Sequence, residues 1–220
     1  MWPFNKKREI GVKSMIGADR FIDYHSHILP GVDDGLKESQ DSLKALELYE
    51  KFGVTEVWMT PHVMEDIPNT TDALRKVFNG LREMYKGPVK LNLAAEYMLD
   101  TLFEQRLEDK DLLTLGDGHL LVETSYFSPP FSFHEILMRI KEQGYVPVLA
   151  HPERYIYMDK EEYGELKKMD IKFQLNISSL KGAYGKSARE KSHWLLNQGY
   201  YNFEGTDSHR VESLRKILES

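Results

Sequence analysis

Short apolar runs alternate with longer amphipathic ones along this chain. Seven β-like runs fall at residues 20–24, 54–59, 89–93, 120–122, 146–149, 173–175 and 200–203. Helical periodicity fills the gaps. Residues 42–52 carry Leu43, Leu46 and Leu48 and stop at Gly53, a residue that commonly ends a helix. Residues 72–85 repeat the pattern with Leu74, Val77, Leu81 and Met84, closed by Gly87 and Pro88. Residues 133–143 do so with Ile136, Leu137 and Ile140, closed by Gly144. Further helices are expected at 99–108, 160–169, 187–197 and 211–218. Strands separated by helices of this length form βαβ units, and hence a parallel sheet. No linker or low-complexity tract divides them, so the α/β unit spans 20–220, as a doubly wound sheet or a closed barrel.

In parallel α/β folds the active site lies at the carboxyl ends of the strands. Six of the seven predicted strands run there into His, Asp or Glu: His25-Ser26-His27, His62, Glu96, Glu123, His151 and Asp207-Ser208-His209. Five of the eight histidines occupy these positions. In extended chain, residues i and i+2 point the same way, so His25 and His27 can reach one ion. Imidazole nitrogens together with carboxylate oxygens suit Zn, Mn and Fe. Taken singly, each residue has a plain structural explanation; their convergence on one rim favours a metal centre. Asp34, in the Asp33-Asp34-Gly35 loop, could add a ligand, although a simple turn also explains that loop. Arg154, three residues after His151, suits a tetrahedral oxyanion through its two-pronged fork, or else pairs with Glu153. His119, His134 and His193 lie outside the pattern and are read as surface or core residues.

Composition narrows the chemistry. The 220 residues include 29 Lys plus Arg against 35 Asp plus Glu, a net charge of −6, which argues against a general nucleic-acid binder. There is no cysteine, which excludes disulfides, cysteine–zinc sites and a thiol nucleophile. No run reaches the apolar length of a membrane span, and no signal-peptide core follows the first basic residues. A cytoplasmic location is therefore expected. Residues 1–19 form a basic arm with Lys6, Lys7, Arg8 and Lys13 beside Trp2 and Phe4. It is read as a solvated extension, with peripheral membrane or partner contact as the alternative.

The motifs resemble those of the polymerase-and-histidinol-phosphatase (PHP) superfamily. The strings His25-Ser26-His27-Ile28-Leu29-Pro30-Gly31-Val32-Asp33-Asp34-Gly35, Thr60-Pro61-His62 and Ala150-His151-Pro152-Glu153-Arg154 resemble the bacterial CpsB/YwqE-type protein-tyrosine phosphatases within it. The resemblance runs from about Phe21 to His209. It implies a distorted seven-stranded β/α barrel with two or three metal ions, commonly Mn2+, with Fe or Zn as alternatives. His25, His27, Glu96 and Asp207 would hold the first ion. Glu96, Glu123 and His151 would hold the second, and Asp34, His62 and His209 the third. Arg154 would bind the phosphate, with Arg210 or Arg215 as a second arginine. Asp207 or His209 would assist proton transfer while a metal-activated water attacks phosphorus in line. The implied substrate is a phosphotyrosine protein, a bacterial tyrosine autokinase controlling capsule or exopolysaccharide synthesis. The alternatives are a PHP phosphatase of a metabolite such as histidinol phosphate, an amidohydrolase, and a non-catalytic metal-binding module. Relative to that family the N-terminal arm is extra, and the chain stops eleven residues after His209. The oligomeric state is left open.

Overall fold

The computed structural model describes residues 21–220; the expected N-terminal arm lies outside them. In chain order the elements are β1 Ile22–Ser26, α1 Ser39–Lys51, β2 Glu56–Met59, β3 His62–Val63, α2 Thr71–Met84, β4 Lys90–Leu93, β5 Glu96–Met98, α3 Thr101–Asp109, β6 His119–Glu123, α4 Phe133–Glu142, β7 Val146–Ala150, α5 Lys160–Lys168, β8 Lys172–Asn176, α6 Gly185–Asn197, β9 Phe203–Gly205 and α7 Val211–Leu218. Short 3-10 turns follow β7 at Pro152–Arg154 and β8 at Ile177–Lys181.

The helices begin and end where side chains satisfy their free backbone groups. Thr70 accepts from the Ala73 N–H at the start of α2. Leu74, Phe78 and Leu81 are buried along one stripe of that helix. Asp100 and Asp159 cap α3 and α5 in the same way.

All strand pairs are parallel. One sheet has the order β1-β2-β4; the other, β3-β5-β6-β7-β8-β9, curls as a parallel half-barrel. Two expected strands are longer than their apolar runs implied. The chain breaks at Thr60-Pro61 and at Ala94-Ala95, then crosses from the first sheet into the second as β3 and β5. Backbone bonds bridge the breaks: Thr60 N–H to Ser26 O at 2.8 Å, Ala94 N–H to Met59 O at 2.9 Å and Glu96 N–H to Pro61 O at 3.0 Å. At the far edge, Asp207 N–H reaches His25 O at 2.7 Å, and His27 N–H reaches Ser208 O at 3.1 Å. Glycine is required there. A Cβ on Gly205 would lie 2.5 Å from the His25 Cβ and 2.8 Å from its backbone nitrogen.

The two faces of the curled sheet have different partners. Leu120, Val122, Leu149 and Phe173 belong to the large core formed with the helices. Leu121, Val148 and Ala150 join Ala94 and Leu115 in a smaller cluster, against Trp58 and Phe203. That alternation is the period-two pattern of strands, and it directs the next inward-facing positions towards the candidate site.

Candidate metal centre

The structure gathers all nine predicted metal-ligating residues at one end of the strands. Four groups of donor atoms emerge: His25, His27 and Asp207; His25, Glu96 and His151; His62, Glu96 and Glu123; and His27, Asp34, His62 and His209. Each comes from a chain segment at a strand's carboxyl end. His25 and Glu123 lie within the last residues of β1 and β6 rather than after them, and His62 and Glu96 open β3 and β5 just beyond the ends of β2 and β4. His151 and Asp207 sit just beyond β7 and β9 in left-handed backbone, with φ of 33° and 51°. Such conformations cost energy for residues with a side chain and cluster at functional sites.

Glu96 is the hub. It is fully buried. Its Oε2 lies 3.1 Å from His25 Nε2, 3.3 Å from His27 Nε2 and 3.1 Å from His62 Nδ1. Its Oε1 lies 2.9 Å from His151 Nε2. Glu123 Oε1 is 3.0 Å from His62 Nδ1. At the outer edge, the exposed Asp34 carboxylate is 3.3 Å from His209 Nε2 and 3.6 Å from His62 Nε2.

Residues behind the donors decide which nitrogens face the centre. His27 Nδ1–H donates to Asp33 Oδ2 at 2.7 Å. Asp33 is fixed in turn by backbone N–H groups of Gly35 and His62. His25 Nδ1–H donates to Gln174 Oε1 at 2.9 Å, and His209 Nδ1–H donates to the Asp207 carbonyl at 2.9 Å. In each neutral ring the lone pair then sits on Nε2. Two such lone pairs meet at 3.1 Å between His25 and His27, beside the Glu96 carboxylate. Glu96 Oε2 and His62 Nδ1 are buried without an aligned hydrogen bond. Buried lone pairs facing one another are costly unless a positive charge lies between them.

The titration pattern has the same origin. Burial depresses the His25 imidazole, yet Glu96 and Asp207 outweigh it and push it up to about 9. Burial likewise opposes charge on His27, but Asp207, Asp33 and Glu96 hold it well above its ordinary value. Glu96 is held well below the usual carboxylate range: burial raises it, and His25 and His62 lower it further. Asp207 is held far down by His25 and His27 against its burial. His209 is lowered by burial and by the neighbouring His27. The cluster therefore calls for positive charge, as protons or as cations. Its donors are nitrogen and oxygen only, a set that fits divalent Mn, Fe or Zn.

Arg154 does not pair with Glu153. Its Nη1 donates to Asp207 Oδ2 at 2.7 Å. Its guanidinium lies between two aromatic rings, 4.4 Å from the Tyr126 centroid and 4.1 Å from that of Tyr184. Glu153 is instead buried, accepting from Asn176 N–H, Ser179 Oγ–H and Tyr201 Oη–H. Of the two further arginines, Arg215 pairs with Glu212 at 3.8 Å, whereas Arg210 lines a cleft with Asp207, His209 and Tyr184. His119 bonds the Gly116 carbonyl, His134 pairs with Glu162 at 2.7 Å, and His193 bonds the Leu180 carbonyl; none of the three joins the cluster.

Sequence reading missed Gln174, Asn176, Tyr126 and Tyr184. A usable signal existed for the amides. The sixth predicted strand was the one without an ionisable end, yet it carries Gln174 and Asn176 at buried positions. Asn176 Nδ2 donates to Asp207 Oδ2 at 2.8 Å and to Tyr184 Oη at 3.1 Å.

Comparison with known proteins places this geometry in context. The family model described as "Capsular polysaccharide synthesis, CpsB/CapC" matches residues 21–218. The tyrosine-protein phosphatase YwqE of Bacillus subtilis (strain 168) is 29% identical over 199 residues, covering 87% of this chain and 78% of the relative. The tyrosine-protein phosphatase CpsB of Streptococcus pneumoniae is 30% identical over 206 residues, covering 90% of this chain and 84% of the relative. A structure from work on YwqE and CpsB as unique metal-dependent tyrosine phosphatases superposes with a TM-score of 0.81 at 27% identity, covering 90% of this chain and 84% of that one.

Proposed function

The chain belongs to the CpsB/CapC family, and from that premise we propose that it is a metal-dependent protein-tyrosine phosphatase. Its substrate is a phosphotyrosine protein, a tyrosine autokinase of capsule or exopolysaccharide synthesis, met in the cytoplasm. The observation that carries this reading is the convergence of four histidines and three carboxylates, His25, His27, His62, His151, Glu96, Glu123 and Asp207, around buried unpaired lone pairs. Among the described residues no helix is long and apolar enough to cross a membrane.

The nine strand segments count as seven barrel strands, β2 with β3 and β4 with β5 each forming one broken strand. The bonds from Thr60 to Ser26 and from Asp207 to His25 support this count. His25, His27, Glu96 and Asp207 would hold one manganese ion, Glu96, Glu123 and His151 a second, and Asp34, His62 and His209 a third. Glu96 belongs to two of the donor groups, which supports a bridging role. Divalent ions bound there supply Lewis-acid stabilisation of the phosphoryl oxygens and lower the pKa of the water that serves as nucleophile.

The chain's own groups do the rest. Arg154, held by Asp207 and the two tyrosine rings, turns its remaining N–H donors to the phosphoryl group, where charge spreads in the transition state. Asp207, ion-paired to Arg154 and held far below the usual carboxylate range by His25 and His27, stays ionised and does not donate a proton. His209, with Nδ1–H fixed on the Asp207 carbonyl, presents Nε2 at the outer edge; where that atom does not hold the third ion, it would move the proton from the attacking water to the leaving phenolate.

Initial rates on a phosphotyrosine peptide, a phosphoserine peptide and histidinol phosphate, in matched manganese, test the proposal. The tyrosine peptide should be hydrolysed fastest. Preference for histidinol phosphate would replace it with the metabolite reading. Absence of turnover in metal-loaded protein would leave a binding module.

A further inference from the structure

Six large apolar side chains are exposed among the described residues: Met84, Phe127, Phe131, Met138, Ile156 and Tyr184. Four of them lie in three consecutive loops at the carboxyl ends of adjacent strands. Phe127 and Phe131 follow β6, Ile156 follows β7 and Tyr184 follows β8, and these strands are neighbours in the sheet. Across the site the loops after β1 and β3 expose Asp34, Lys37, Glu65 and Asp66 instead. The apolar exposure is thus confined to one side of the candidate metal centre. Scattered exposed apolar residues need no explanation, whereas a grouped patch marks an interaction surface.

The patch is continuous with the site. Tyr126 carries the ring over Arg154, and its carbonyl accepts the Ile156 N–H at 2.9 Å. Phe127 is the next residue, 76% exposed. Beyond it, Pro129, Pro130 and Phe131 form the apolar wall of a groove with Tyr157, whose opposite wall is acidic with Glu135, Asp159, Glu161, Glu162 and Glu165; Tyr157 Oη lies 2.6 Å from Thr124 Oγ1, one residue after Glu123. A chain whose phosphate reached Arg154 would have to lay its flanking residues across one rim or the other. Two prolines restrain the loop, which reduces the ordering cost of docking.

We infer that the Phe127, Phe131 and Ile156 loops form the docking surface for the polypeptide of the phosphotyrosine substrate, gripping apolar side chains that flank the phosphorylated residue. The inference rests on the phosphatase reading above and adds to it the class of sequence preferred. It makes the enzyme a reader of the peptide and not only of the phosphorylated ring. None of the three side chains belongs to the donor cluster, so chemistry on a small aryl phosphate does not need them.

The test compares wild type with the Phe127→Ser/Phe131→Ser/Ile156→Ser triple variant in matched manganese. The substrates are p-nitrophenyl phosphate, a phosphotyrosine peptide with Leu and Ile on both sides, and the same peptide with those positions changed to Ser. Wild type should prefer the apolar peptide. The triple variant should lose about tenfold in kcat/KM on it through KM, abolish the preference, and keep its rate on p-nitrophenyl phosphate, which also reports an intact fold. Equal losses on the peptide and the small ester would overturn the inference, because the loops would then act on the centre itself. Unchanged peptide kinetics would overturn it as well, including the case where only binding to anionic lipid vesicles is lost and the patch is a membrane surface. Failure of wild type to hydrolyse either phosphotyrosine peptide while it cleaves p-nitrophenyl phosphate would instead strike the protein-phosphatase reading.

Discussion

The two ends of the same strands solve the packing problem in opposite ways. Towards the amino end, β6 and β7 turn Leu121 and Val148 inward, in one cluster with Trp58 and Phe203. A few residues further on they reach Glu123 and His151, both buried. The lower cluster is stabilised by apolar burial, about 25 cal/mol per Å2. The upper one consists of ionisable groups that would be expensive to bury alone. The upper end also carries the left-handed backbone of His151 and Asp207. The lower end therefore supplies stability, and the upper end consumes it to hold donors in place.

The strongest way to break this contrast is to remove the cations. Chelator-treated protein should lose phosphatase activity completely, and manganese should restore it. Full turnover in protein shown to be metal-free by elemental analysis would end the metal reading. Thiol alkylation should do nothing, since there is no cysteine. Next comes Glu96→Gln at the hub. It should lower both metal content and turnover, while the lower cluster keeps the fold. Unchanged metal content would remove Glu96 from the centre.

Much of the upper end was legible in the sequence because its chemistry sits at strand ends and uses rare residue types. Histidines at 25, 27, 62, 151 and 209 interrupt apolar runs, so they stand out from the strand pattern. The breaks at Thr60-Pro61 and Ala94-Ala95 were not legible. β3 and β5 have two and three residues, too short for alternation to register, and their pairing depends on neighbours distant in sequence. Asp33 reads as a turn residue, and only the fold shows it orienting His27. Tyr126 and Tyr184 read as ordinary loop aromatics, because stacking on Arg154 joins three loops that sequence spacing does not relate.

Arg154 separates charge from coordination within the upper end. A guanidinium stays protonated and is no metal ligand, so Arg154→Ala should leave metal content intact. It should cost roughly a hundredfold in rate, as loss of one donor to a developing oxyanion does. Arg154→Lys should recover only part, because a point charge cannot make the two-pronged contact or stack flat between the rings. A fall in kcat would place its contact in the transition state, and a rise in KM alone in the ground state. Wild-type kinetics in Arg154→Ala would make it a loop arginine and turn attention to Arg210.

The smallest expected effect is a pH dependence confined to the metal-free protein. His25 has an ordinary value of 6.5 and is pushed up to about 9 in the fold by Glu96 and Asp207 acting against its burial. A group raised on folding binds its proton more tightly in the native state. Its contribution to stability is fully present below pH 6.5 and is lost as the pH rises through about 9. Glu96 and Asp207 are lowered instead, so their contributions are already complete above the ordinary carboxylate range and do not change in this window. Chelated protein should therefore melt at a lower temperature at pH 9 than at pH 6.5. Ligation requires neutral imidazoles, so protons and cations compete for the same lone pairs. Manganese affinity should rise across the same interval, and binding should release protons, measurable as heats that vary with the ionisation enthalpy of the buffer. A melting temperature that does not change with pH in the chelated protein, together with proton-free binding, would mean that the histidines at this end are neutral before any ion arrives, and that the contrast between the two ends is one of geometry rather than charge.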